Sequence, residues 1–128
     1  KSSDNDRFFI ESKKIKLIYG FEEIHKKDYL HQRASGLNHT ICDIANKNKV
    51  EIGLSYSSLF NKNIHLSSLL IRRMIQNITL CQKYHAKTTV GSFSEKPYEL
   101  RAPHDIKSLF AMLGMSGKNI KYFIASNL

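Results

Sequence analysis

Signals for strands and for helices alternate along this chain, and that alternation restricts its fold more than any single residue does. Lys16–Glu22 (KLIYGFE) has the continuous apolar character of a strand buried on both faces. A polar loop from Glu23 to Ser35 follows, and Ser35 is a plausible N-cap for a helix with Leu37, Ile41, Ile44 and Ala45 inward, ending near Lys49. Val50–Ser57 is the next strand, with Val50, Ile52 and Leu54 alternating against Glu51, Gly53 and Ser55. Asn61–Asn63 breaks the chain, and a long helix runs from about Ile64 to Tyr84. At about 100° per residue, Leu66, Leu70, Met74, Ile78 and Cys81, with Ile71 and Ile75, share one side of it. Arg72, Gln76, Thr79 and Lys83 gather on the other, where Leu69 and Leu80 intrude. Thr88–Ser94 is a third strand. A helix opened by Pro103 carries Ile106, Leu109, Phe110 and Leu113 and ends at Gly114. Ser116 then caps a last helix with Ile120, Phe123 and Ile124 inward and Lys118, Lys121 and Asn127 outward. Strand, helix, strand, helix, strand, helix, helix is the order of a parallel sheet with helical crossovers.

Ahead of this array lies KSSDNDRFFIES, polar except for Phe8–Ile10, which reads as a short strand or as the last turn of a preceding element. The first residue is Lys and not Met, as in a processed or cloned piece. A length of 128 residues suits a single domain over 1–128, with 1–15 as a leading segment. The net charge of +9 comes without any block of like charges, which suggests a folded basic domain with a polyanionic partner, nucleic acid first; the alternative is a soluble basic protein of a Lys-rich, Asn-rich and Ile-rich proteome. Cys42 and Cys81 fall among helical apolar positions, where buried reduced thiols are expected and a disulfide is not. No apolar run is long enough to span a bilayer, and nothing at the start resembles a secretory signal, so no membrane partner is expected.

The long polar stretch between the third strand and the Pro103 helix, Ser92–Ile106, carries Glu95, Lys96, Tyr98, Glu99, Arg101, His104 and Asp105. In α/β proteins the loop after a strand's carboxyl end is where function is normally mounted. Together with HQRASGLNH (His31–His39), VEIGLSYSSLF (Val50–Phe60) and MIQNITLCQKY (Met74–Tyr84), the string SEKPYELRAPHDIKSLFAMLGM (Ser94–Met115) resembles the 30-kilodalton protein subunit of archaeal and eukaryotic ribonuclease P. That family has a Gly-hydrophobic-Asx-His turn opening a helix, and an Arg-x-Pro-x-Asp segment followed by a Leu-rich helix. Both occur here in the family's order, and the resemblance runs from about Lys16 to the end.

The fold this resemblance implies is α/β, a TIM-type barrel of parallel βα units, PHP-like, and here an incomplete barrel because the similarity begins midway along the family's length. A second chain, self-association or a longer precursor would complete it. The function implied is that of a non-catalytic subunit of ribonuclease P, which removes the 5′ leader from precursor tRNA. Such a subunit binds and stabilises the catalytic RNA, holds no cofactor of its own while the partner RNA holds Mg²⁺, and pairs with the small ferredoxin-like protein subunit. It is expected in the cytoplasm, or in the nucleus or nucleolus of a eukaryote. The same resemblance marks Arg33, His39, Lys83, Arg101 and Lys121 as RNA contacts. His39, in the first turn of its helix, lies near N–H groups that favour an anion; a hydrogen bond within the barrel mouth is the plainer role. Arg101 stands on extended backbone two residues before Pro103 and suits a bidentate phosphate contact, with Asp105 orienting it or capping backbone. Asn38 departs from the Asp frequent in archaeal relatives, and Ala34-Ser35 from Asp-Pro, so no polar role is carried over to those positions. The alternative is a PHP-like metal-dependent phosphoesterase using His25, His31, His39, His104 and Asp105. Against it, the sequence has no His-x-His pair and Glu22 is nearly alone at the strand ends.

Overall fold

Three short strands, β1 (Leu17–Tyr19), β2 (Glu51–Ser55) and β3 (Thr88–Gly91), form one parallel sheet in the order β1-β2-β3 in the computed structural model, which describes residues 6–12, 14–23, 36–59, 63–93 and 103–115. The register sets Ile18 beside Ile52, Tyr19 beside Gly53 and Gly53 beside Thr89. Among the described residues four α-helices accompany the sheet: α1 (Asp6–Glu11), α2 (His39–Asn48), α3 (Ile64–Lys83) and α4 (Pro103–Met112). Short 3-10 turns follow β1 at Phe21–Glu23 and β2 at Ser57–Leu59. Sequential parallel strands require crossovers of one hand, which puts α2 and α3 on the same face of the sheet. Ile18, Ile52, Leu54 and Val90 point to that face and pack with Cys42, Ala45, Met74, Ile78 and Cys81 in one buried core. On the other face Leu17, Tyr19 and Glu51 are only half-buried.

Most of the anticipated elements are present, with shifted bounds. The strand anticipated over Lys16–Glu22 closes at Tyr19, because Phe21–Glu23 winds into a 3-10 turn. In β2 the alternation does not separate a buried set from an exposed one: Gly53 and Ser55 are buried along with Ile52 and Leu54, and Glu51 is half-buried. Phe8–Ile10 lies inside α1 and is not a strand; only Ile10 is buried, and its carbonyl accepts a hydrogen bond from Asn48 Nδ2 at 3.0 Å. The cap of α2 is Asn38 rather than Ser35, its Oδ1 accepting from Ile41 N at 2.9 Å. Gly36 N donates to Phe21 O, which ties the chain to the end of β1 just before the helix starts. Leu66 and Ile75, anticipated on the buried side of α3, are 36% and 42% exposed, whereas Arg73 and Asn77 are buried there. Ser35, Arg33, Ser94, Arg101 and the helix expected after Ser116 lie outside the described residues.

Three helices end in the same way. At α4, Met115 N donates to Phe110 O and Gly114 N to Ala111 O, with Gly114 in the left-handed region at φ 115°. At α2, Val50 N donates to Ala45 O and Lys49 N to Asn46 O, and at α3 Ala86 N donates to Cys81 O. The left-handed position is Lys49 in the first of these and His85 in the second, both at φ 58°. This turn satisfies the last carbonyls of a helix and normally takes glycine. Cys42 and Cys81 are free and buried, and their thiols share a hydrogen bond between α2 and α3. That bond, and burial after it, push the Cys81 thiol far up. Among the described residues no helix is long and apolar enough to cross a membrane.

Candidate nucleic-acid interface

The carboxyl ends of the strands carry more polar groups than Glu22 alone. Glu22 is fully buried and accepts a hydrogen bond from Ser58 Oγ on Oε1, while Arg73 Nη1, reaching from α3, donates to the Glu22 carbonyl at 3.1 Å. Between β2 and β3, Ser55 Oγ donates to Ser92 O at 3.4 Å and Ser57 Oγ to Phe93 O at 3.2 Å. Tyr56 N and Ser57 N donate to Gly91 O and Ser92 O, extending the ladder beyond the strands. These groups face one another, and their geometry holds the loop ends in place; buried polar groups require such partners. Among the described residues no three His, Cys, Asp or Glu side chains stand together as a metal site would need.

Two residues singled out separately in the sequence meet on one aromatic ring. His39, the first residue of α2, and Lys83, the last of α3, both approach Tyr84. The His39 ring lies 5.8 Å from the Tyr84 ring at 39°, and Lys83 Nζ lies 5.5 Å from its centroid. Among the described residues, the neighbour of His39 is this ring at the end of α3. His39 and Lys83 are exposed and Tyr84 is half-buried. An ammonium over an exposed tyrosine face contributes about 0.5–1 kcal/mol, which restricts the lysine without neutralising it. A fixed cation, an imidazole and a flat ring form the kind of surface that accepts a phosphate with a stacked base or sugar beside it. Tyr84 was not anticipated; its signal is an aromatic residue adjoining Lys83 at a helix end, but the approach of His39, remote in sequence, has no local signature.

Asp105 is exposed in the first turn of α4, where its charge complements the helix amino end. Its expected partner Arg101, and likewise Arg33 and Lys121, lie outside the described residues, as do His25 and His31. Besides Lys83, the exposed described cations include Lys14, Lys16, Lys47, Lys49, Arg72, Lys87 and Lys107.

Comparison with known proteins gives a consistent picture. The profile of a family described as RNase P subunit p30 matches residues 26–128. Ribonuclease P protein component 3 of Thermococcus gammatolerans is 33% identical over 110 residues, covering 86% of this chain and 48% of that protein. The Thermococcus kodakarensis protein of the same name is 34% identical over 80 residues, 62% of this chain and 36% of that one. That of Methanocaldococcus jannaschii is 23% identical over 109 residues, 81% and 47% respectively. The chain thus spans less than half the length of these relatives. A chain in a cryo-EM structure of archaeal ribonuclease P with mature tRNA superposes with a TM-score of 0.72 at 20% identity, over 90% of this chain and 48% of that one.

Proposed function

Because this chain belongs to the RNase P subunit p30 family, we propose that it acts as a protein component of ribonuclease P, binding and stabilising the RNA that matures the 5′ end of precursor tRNA. The observation that carries this reading is the family match over residues 26–128, which takes in both motifs and every candidate contact residue. The catalytic groups and their Mg²⁺ belong to the RNA, and the protein contributes positive charge on a rigid frame. Packing RNA helices brings phosphates together; Lys and Arg at fixed positions replace diffuse counterions there. Arg33, His39, Lys83, Arg101 and Lys121 are the proposed contacts, with Asp105 positioning Arg101. Precursor tRNA is reached through the complex, and the small ferredoxin-like subunit is the proposed protein partner, in the cytoplasm or, in a eukaryote, the nucleus.

The three strands are read as neighbouring staves of a TIM-type barrel within a single domain over 1–128. Support comes from their sequential parallel order and from α2 and α3 on the same face, with Tyr19, Gly53, Thr89 and Phe93 on the face that a closed barrel would turn inward. Residues outside this chain, or a second chain, would supply the remaining staves.

Binding to a ribonuclease P RNA, titrated against rising salt, tests the proposal. The affinity should fall steeply with salt, and Arg101→Ala should weaken binding by about 1–3 kcal/mol without changing the thermal melt. Arg101→Lys should recover only part, since one ammonium cannot span two phosphate oxygens. A flat salt response, or RNA cleavage by the protein alone, would contradict the proposal.

A further inference from the structure

The amino end of the sheet has a charge pattern of which the proposed contacts use only Lys83. Each strand is approached through lysines: Lys14 and Lys16 before β1, Lys47 and Lys49 before β2, Lys83 and Lys87 before β3. All six are exposed. The parallel register brings these approaches side by side, because Glu51 N donates to Lys16 O at 2.8 Å and Ile52 N to Lys87 O at 2.8 Å. With strands about 4.8 Å apart, Lys16 and Lys87 flank the start of β2 at a backbone separation of roughly 10 Å. No described carboxylate forms a salt bridge with any of the six. Glu51, the nearest acid along β2, is half-buried and accepts a hydrogen bond from Thr89 Oγ1 at 2.7 Å.

Two of these lysines have an ordinary explanation: Lys47 and Lys83 lie in the last turns of α2 and α3, where a cation complements the helix dipole. Lys14, Lys16, Lys49 and Lys87 lie outside those helices. Lys49 moreover occupies the left-handed position of its turn, as His85 does one strand over, while α4 uses Gly114 at the equivalent place. A side chain in that conformation costs stability that glycine would avoid.

We propose that this amino end, lined by Lys14, Lys16, Lys49 and Lys87, is a second anion-binding face that docks along the phosphate backbone of an A-form RNA helix. The inference rests on the reading of the protein as an RNA-binding subunit, and adds Lys14, Lys16, Lys49 and Lys87 to the contacts proposed there. An RNA duplex presents evenly spaced phosphates and no readable base edges in its deep groove, so a row of flexible cations on a rigid edge suits it without sequence preference.

The test titrates the full chain and two variants with a base-paired RNA hairpin at increasing potassium chloride. Lys16→Gln with Lys87→Gln removes two cations without touching a helix end. Lys49→Gly removes one and relieves the turn. The double variant should bind at least about tenfold more weakly at low salt, and its plot of log affinity against log salt should be shallower by about two, with an unchanged melt. Lys49→Gly should melt higher and yet bind more weakly, a combination that damage to the fold cannot produce. Affinities within about twofold of wild type and unchanged slopes for both, beside a wild type that binds with a steep salt dependence, would overturn the proposal while leaving the subunit reading in place. A wild type with no salt-sensitive affinity would remove the subunit reading, and this proposal with it.

Discussion

Gly53 stands at the closest approach in the sheet. A Cβ added there would lie 2.7 Å from Tyr19 Cβ and 3.2 Å from the Phe93 ring, and those two rings stack at 4.6 Å across it. Gly53→Ala should therefore cost about 1–3 kcal/mol through overpacking, despite the usual penalty of glycine in a strand, and urea unfolding would measure it. A variant as stable as wild type would mean that the Tyr19–Phe93 stack yields freely. Lys49 presents the reverse case. It occupies a backbone conformation that disfavours a side chain, so Lys49→Gly should gain about 1 kcal/mol by the same measurement. Cys42 and Cys81 should resist alkylation in the native protein and react fully once it unfolds, since both thiols are buried and Cys81 holds its proton firmly. Native labelling at the unfolded rate would contradict that.

Among the elements, α3 shows how far periodicity could be read. Its bounds, Ile64–Lys83, follow the anticipated span within one residue, and Leu70, Met74, Ile78 and Cys81 are buried as their spacing requires. Arg73 and Asn77 were not anticipated inside, because a hydrophobicity pattern counts them as polar wherever they fall. Their legible signal is a polar pair one turn apart on the apolar side, which calls for a buried partner in another element. For Arg73 that partner is the carbonyl of Glu22, just past β1, and the link holds α3 to the carboxyl end of the sheet. Arg73→Met should lose about 1–3 kcal/mol, because it leaves the Glu22 carbonyl and its buried surroundings short of a donor. The amino end of α2 was misplaced by three residues for a different reason. Ser35 and Asn38 both have capping side chains, and only the tertiary hydrogen bond from Gly36 to Phe21 decides between them. Phe8–Ile10 could not be resolved at all, since three consecutive apolar residues fit either period. The motif residues were legible as chemistry, but the convergence of His39 and Lys83 on Tyr84 depends on how α2 packs against α3, which no local pattern encodes.

At the scale of the whole molecule, the described sheet is incomplete in the physical sense. β2 is paired on both sides, whereas β1 and β3 are paired on one side only among the described residues. Parallel strands are stable mainly when both faces and both edges are covered, and an open edge is a template for another strand. Large apolar side chains also remain at the surface: Phe8 is 68% exposed, Ile64 79% and Met112 84%. Their isolated exposure would mean little, but beside two edges that no described strand pairs it adds apolar area that association would bury. The 128-residue chain alone should therefore associate in solution, and its apparent mass by light scattering should rise with concentration at moderate salt. High salt should strengthen that association, since the net charge of +9 opposes it and apolar contact drives it. RNA binding, which rests on phosphate contacts, should weaken under the same change, so the two properties separate on one salt axis. A monodisperse monomer with cooperative unfolding across that range would instead mean that these βα units close a core of their own, with the strand edges covered from within the chain.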